Sequence, residues 1–263
     1  MDSTEQILHG GNVAHTVLRI GDTVRKPATS ATTSVEAFLE HLHRAGFLAA
    51  PRTLGRDPQG RHVLEYIPGE TVSTPLPDED LRRVGRLIRQ LHTAAASFTP
   101  PPGAQWNVAI KPDAETLICH HDLAPWNLVR NGSGLFFIDW DGSGPGSPLW
   151  DLAYALQSFV PLASGTEPTL AAARLRTFAD AYGLNRTQRE QLPQKLTDRT
   201  WAMCHLLERG AETGEQPWAR LHAEGHAIYW SQSAKYVEQH VELWAHALLS
   251  GYTDRTKSNA PTG

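Results

Sequence analysis

Asp122, Asn127 and Asp139 pose the chemical question, because their types and spacing suit one kind of reaction. A hydroxyl nucleophile needs an acceptor for its proton, and an aspartate can orient the hydroxyl and take that proton. Magnesium is a hard ion that takes oxygen ligands and keeps several waters while bridging phosphate oxygens. An asparagine carbonyl with an aspartate carboxylate suffices to hold such ions against a nucleoside triphosphate. In the sequence, four residues separate Asp122 from Asn127, and Asp139 follows an apolar run. That order fits phosphoryl transfer to a hydroxyl.

The elements between these residues must bring them together. Two apolar strand-like runs, Leu128-Val129 and Leu135-Phe136-Phe137-Ile138, flank Asn131-Gly132, and an Asn-Gly pair between such runs signals a β-hairpin. Asp122 and Asn127 sit in the loop entering the first strand, and Asp139 sits where the second ends. Folding the hairpin over brings all three to one edge. Loop Asp and Asn residues commonly bond their own backbone, so Asp-x-x-x-x-Asn alone reads as a turn. The second carboxylate, across a correctly placed hairpin, separates a metal site from that turn.

The wider segment resembles the phosphotransferases that include aminoglycoside phosphotransferases and choline kinases, small-molecule relatives of protein kinases. Their pattern is His-Gly-Asp-Leu-His-Pro-x-Asn, then Ile-Asp-Trp/Phe, then Asp-Pro-x-x-Asp-Leu-Ala. This chain has His120-His121-Asp122-Leu123-Ala124-Pro125-Trp126-Asn127, then Ile138-Asp139-Trp140, then Ser147-Pro148-Leu149-Trp150-Asp151-Leu152-Ala153. The resemblance implies Asp122 as catalytic base, Asn127 and Asp139 as Mg2+ ligands, and Asp151 as a structural carboxylate at a helix start. It implies ATP or GTP as phosphoryl donor and a hydroxylated small molecule as acceptor: an antibiotic, amino alcohol, sugar or nucleoside. His121 in place of Gly, and Ala124 in place of a common His, mark the loop as different on its substrate side.

A kinase-like architecture also needs a phosphate loop, a strand lysine, a helix glutamate and a hinge. Gly10-Gly11-Asn12 precedes the strand-like run Val17–Ile20. Gly21-Asp22 is a hairpin signal leading to Thr23–Lys26, where Val24 and Lys26 share a face by alternation. That places Lys26 for the α- and β-phosphates and Val24 for the nucleobase, with Arg25 the competing base. Val35, Phe38, Leu39 and Leu42 recur at helical spacing over residues 34–45, and Gly46 stops the helix. Its Glu36, or alternatively Glu40, is the expected partner of Lys26. His62–Ile67 reads as a strand closed by Pro68-Gly69, so the hinge falls near 64–69, with the Glu65 carbonyl and Ile67 amide on the base edge. Asp78-Glu79-Asp80 opens a second helix, its acids complementing the macrodipole, and from Leu149 onward the pattern is helical.

The fold class expected is therefore α+β: a protein-kinase-like bilobal fold with a small antiparallel-sheet N-lobe over 1–68. A larger helical C-lobe over 69–263 carries the catalytic loop 120–127. Length agrees, since 263 residues allow one large domain or two intimate lobes. With 40% hydrophobic and 20% charged residues, the chain can bury a core rather than stay disordered. A net charge of −4 argues against nucleic acid as a partner, since binders carry a basic excess. Two cysteines are too few for a disulfide framework. Without a membrane span or the basic and apolar runs of a signal peptide, a cytoplasmic location is expected.

Other features carry less. His222 and His226 at i, i+4 spacing invite a zinc site on one helix face, but no third ligand is evident. Cys119 reads as a small buried thiol. Trp201, Trp218, Trp230 and Trp244 read mostly as core. Residues 142–263 hold 12 acids and 11 bases, which shows no carboxylate cluster of the kind that attracts a polycation. An aminoglycoside acceptor is not favoured.

Overall fold

In the computed structural model, residues 5–8, 17–132 and 134–252 are described. The chain begins with β1 (Glu5–Leu8), β2 (Val17–Ile20), β3 (Thr23–Lys26), helix α1 (Thr32–Arg44), β4 (Thr53–Arg56) and β5 (His62–Glu65). These strands form one antiparallel sheet in the order β1-β2-β3-β5-β4. Gly21, at φ 59, makes the turn that pairs Ile20 with Thr23. The strand from His62 ends at Glu65, two residues short of the expected Ile67. α1 starts at Thr32, earlier than expected, and buries Val35, Phe38, Leu39 and Leu42 as one stripe.

The middle of the chain holds β6 (Glu70–Thr71), α2 (Asp78–Ala95), β7 (Leu117–Cys119), β8 (Leu128–Asn131), β9 (Gly134–Phe137) and β10 (Gly144–Gly146). The hairpin read from Asn131-Gly132 forms: β8 and β9 pair from Leu128↔Phe137 to Asn131↔Gly134, and β6 adds beside β8. The segment after Gly142 contains β10, which pairs with β7. Its two glycines permit this, because a Cβ at Gly144 would stand 2.3 Å from Val108 and one at Gly146 2.9 Å from His121. The two ladders clamp residues 120–143 from both ends.

The rest is helical: α3 (Pro148–Phe159), α4 (Pro168–Tyr182), α5 (Arg186–Thr213), α6 (Trp218–Ala223), α7 (His226–Gln239) and α8 (Val241–Leu249). Ser147 caps α3 by accepting from the Trp150 N–H at 3.2 Å, one of the orphan donors of a helix start. α3 is buried on nearly every side, as befits a helix apolar all round. One core joins the parts. Phe38 of α1 meets the Trp140 ring edge-on at 6.0 Å, and Trp140 packs on His120 at 4.6 Å. The helix of the sheet side thus rests directly on the segment that carries Asp122 and Asp139.

The histidine pair resolves differently from its spacing. Gly225, at φ 90, separates His222 in α6 from His226 at the start of α7, so the two imidazoles do not share a helix face. Among the described residues, no helix is long and apolar enough to cross a membrane.

Candidate active site

Asp122 lies in the loop between β7 and β8. The Asn127 Nδ2 donates to its carboxylate at 2.7 Å and to its backbone carbonyl at 3.0 Å. Tyr154 lies beside the carboxylate and favours its charged form. Burial raises the Asp122 pKa above the usual range and nearby Asp139 adds to this, while His120, Tyr154 and Asn127 pull it back.

His120 builds the link to the other strand end. Its Nδ1 accepts from the Asp122 N–H at 3.2 Å, and Nε2 lies 3.1 Å from the Ile138 carbonyl. That pairing requires the tautomer with the proton on Nε2. The Ile138 N–H donates to the Asn127 carbonyl at 2.9 Å. The three residues singled out by spacing therefore meet at one edge of the hairpin.

Asp139 follows at φ 64 and ψ 64, a left-handed conformation uncommon outside glycine. Lys26 reaches across from β3: its Nζ donates to Asp139 Oδ1 at 2.5 Å and to Asp141 Oδ2 at 2.9 Å. The Lys26 ammonium holds Asp139 below the usual carboxylate range, against the effect of burial. Burial disfavours the ammonium, yet the two carboxylates outweigh it and raise the Lys26 pKa. Arg25 turns the other way, onto Asp57 at 3.1 Å, so strand alternation leaves Lys26 as the base in the cleft. Val24, on the same face, packs against the main core.

The donor set suits a hard cation. Asn127 commits its amide nitrogen to Asp122, which leaves its carbonyl as the oxygen donor. Asp139 and Asp141 already converge on one cationic group.

Glu36 is not brought to Lys26. It faces Arg56 at 3.6 Å and His62 at 3.8 Å, because His62, not a helix residue, stands opposite Lys26 in the sheet register. Glu40 is exposed. At the chain's exit from β5, the Glu65 N–H donates to the Arg52 carbonyl and the Tyr66 N–H to the Asp22 carbonyl, both at 2.9 Å. Ile67 follows outside any strand and is half-buried. Gly10 and Gly11 lie outside the described residues.

Behind the loop, Asp151 is buried and accepts from the His120 N–H at 3.2 Å, the His121 N–H at 2.8 Å and the His92 imidazole at 3.1 Å. Burial opposes its ionisation, but these bonds and the His92 charge hold its carboxyl at about 2. His121 adopts φ 68, which explains why glycine suits this position in the resembling pattern. Its ring compensates by turning onto the Gly144 and Pro145 carbonyls at 3.2 and 3.0 Å. Asp141, Tyr154, His92 and Arg199 were not singled out by the sequence reading. Asp141 is legible as a second carboxylate two residues past Asp139, whereas the other three are joined to the site only by folding.

A small antiparallel sheet set over a helical body, with a polar cleft between, is a protein-kinase-like fold. Amicoumacin kinase in complex with AMP-PNP, Ca2+ and Ami matches it with a TM-score of 0.67 at 12% identity, over 89% of this chain and 88% of that one. A microcompartment-associated aminopropanol kinase matches with a TM-score of 0.64 at 16% identity, over 93% and 94%. The chain belongs to the phosphotransferase enzyme family, whose profile matches residues 4–109 and 104–192. It is also 31% identical to the trifolitoxin immunity protein of Rhizobium leguminosarum bv. trifolii, over 93% of this chain and 99% of that protein.

Proposed function

We propose that this chain transfers the γ-phosphoryl group of ATP or GTP to a hydroxyl of a small molecule. Asp122 orients the acceptor hydroxyl and takes its proton as the oxygen attacks phosphorus and the nucleoside diphosphate departs. Lys26 meets the α- and β-phosphates, Val24 packs on the nucleobase, and the Glu65 carbonyl with the Ile67 amide reads its edge. Gly10 and Gly11 belong to the loop over the phosphates. Magnesium held by Asn127 and Asp139 would neutralise charge on the transferring group. We assign nucleotide binding to residues 1–68 and acceptor binding to the helical part beyond. Antibiotics, amino alcohols, sugars and nucleosides are the acceptor classes to try.

The observation that carries this reading is that two bonded pairs, Lys26 with Asp139 and Asn127 with Asp122, come together where the Ile138 N–H bonds the Asn127 carbonyl. Nucleotide consumption over a panel of hydroxylated compounds, with phosphorylated product identified by mass spectrometry, tests it. Turnover that needs magnesium and disappears in Asp122→Ala is the expected result. Equal turnover by that variant would sink the assigned mechanism.

The similarity to a protein named for immunity favours a second reading, a binder that sequesters a toxin without modifying it. Calorimetry separates the two. Tight toxin binding without magnesium-dependent nucleotide binding or phosphorylated product would establish the binder.

A further inference from the structure

We propose that Arg199 and Tyr154 are positioning residues that aim the Asp122 carboxylate; the proposal rests on the phosphotransferase reading of the site. Arg199 lies on α5 and is only 4% exposed. Its Nη2 donates to the His121 carbonyl at 3.2 Å. That carbonyl belongs to the left-handed residue immediately before Asp122, so its direction sets where the Asp122 side chain begins. Asp151 holds the His121 N–H and the β10 carbonyls hold its ring. Arg199 adds a hold that comes from the long helix α5.

A second route reaches the carboxylate itself. Tyr154, which lies beside the Asp122 carboxylate, contacts Arg199 and Trp230 through its ring. The Arg199 guanidinium sits 4.5 Å from the ring centroid, and the Trp230 ring stacks at 5.9 Å with planes 16° apart. Tyr154 is thereby held through its ring next to the carboxylate.

Stability does not account for this arginine. Its Nε and Nη1 are buried without hydrogen-bond partners, and a buried guanidinium with unmade bonds costs free energy that a packed apolar side chain would not. An aimed carboxylate accounts for it, since small misplacements of catalytic groups slow reactions steeply.

The test is steady-state hydrolysis of ATP with magnesium, water serving as acceptor, in Tyr154→Phe, Arg199→Met and Arg199→Lys. The first two are expected to lower kcat by roughly 10- to 100-fold, with the KM for ATP within about twofold of wild type. Arg199→Lys, which keeps the charge but loses the fork, should fall between. Should Arg199→Met fail to fold, as near-UV circular dichroism would reveal, Tyr154→Phe and Arg199→Lys decide the matter. Wild-type kcat in the folded variants, or a loss carried by the KM for ATP, overturns the proposal while Asp122-dependent turnover keeps the site reading intact. Wild-type turnover that is absent, or that persists in Asp122→Ala, overturns the phosphotransferase reading and this proposal with it.

Discussion

Asp151, on the helical side of the cleft, and Glu36, on the sheet side, are both shielded carboxylates, but their surroundings differ. Asp151 accepts from two backbone N–H groups and the His92 imidazole, tying α2, α3 and the catalytic loop together. Glu36 has Arg56 at 3.6 Å and His62 at 3.8 Å as its charged neighbours, and its buried Oε1 has no hydrogen-bond partner. The first carboxylate holds backbone in place, so removing it strands several buried donors. Removing the second leaves its environment little changed, because its charge contacts are long and it accepts no hydrogen bond at Oε1. Burial alone does not tell which carboxylate matters; the donors it satisfies do.

The largest expected effect follows from that contrast. Asp151→Ala should cost about 3–5 kcal/mol, since it uncompensates a buried network, and thermal melts should show a loss of many degrees or no folded protein. A melting temperature close to wild type would break the comparison. Lys26→Met comes next. Its ammonium joins Asp139 and Asp141 across the cleft, and phosphoryl transfer should fall about 10²–10³-fold while the fold survives. Measuring Glu36→Gln beside it sharpens the contrast, because an equal fall would make Glu36 the lysine's partner in the working state.

Acid should unfold the two regions in separate windows. Burial holds neutral His62 down to about 4, with Asp141 opposing and Lys26 and Arg56 assisting, whereas its ordinary value is 6.5. The unfolded chain takes that proton first, so stability falls as pH drops from 6.5 towards 4. Asp151 is depressed from 3.8 to about 2, so its contribution is present above 3.8 and is lost as pH falls through about 2. The upper window should be worth about 3 kcal/mol and the lower about 2 kcal/mol. Urea unfolding across pH is expected to show both losses, and His62→Gln should flatten only the upper one. Loss of the lower window in that variant would refute the separation. The smallest effect expected is on stability in Glu36→Gln, within about 0.5 kcal/mol of wild type by the same urea curves.

Much of this was legible along the chain, and the successes share a cause. The β2–β3 and β8–β9 hairpins are local, with Gly21 and Asn131-Gly132 at their turns, so neighbouring residues encode their register. The spacing of Asp122, Asn127 and Asp139 could be converted into proximity because one short hairpin joins them. Alternation on β3 likewise separated Lys26 from Arg25. Where partners are distant, the reading ran out. β10 was missed because three residues rich in glycine carry no strand pattern, and only Leu117–Cys119 opposite make them one. The Glu36 environment depends on where α1 settles against β5, which no periodicity specifies. Tyr154 and Arg199 look like ordinary helix residues until α3 and α5 pack behind the loop.

The sequence by itself determined which polar side chains meet at the hairpin edge and the division into a small sheet and a helical body. Those follow from side-chain type and local spacing, which a linear chain displays. The tertiary structure alone decided which buried charges are satisfied: Lys26 on Asp139 and Asp141, Asp151 under the loop, and Arg199 with two donors unpaired. Electrostatics and hydrogen bonding depend on distances between segments up to 115 residues apart, and only the packed core sets those distances.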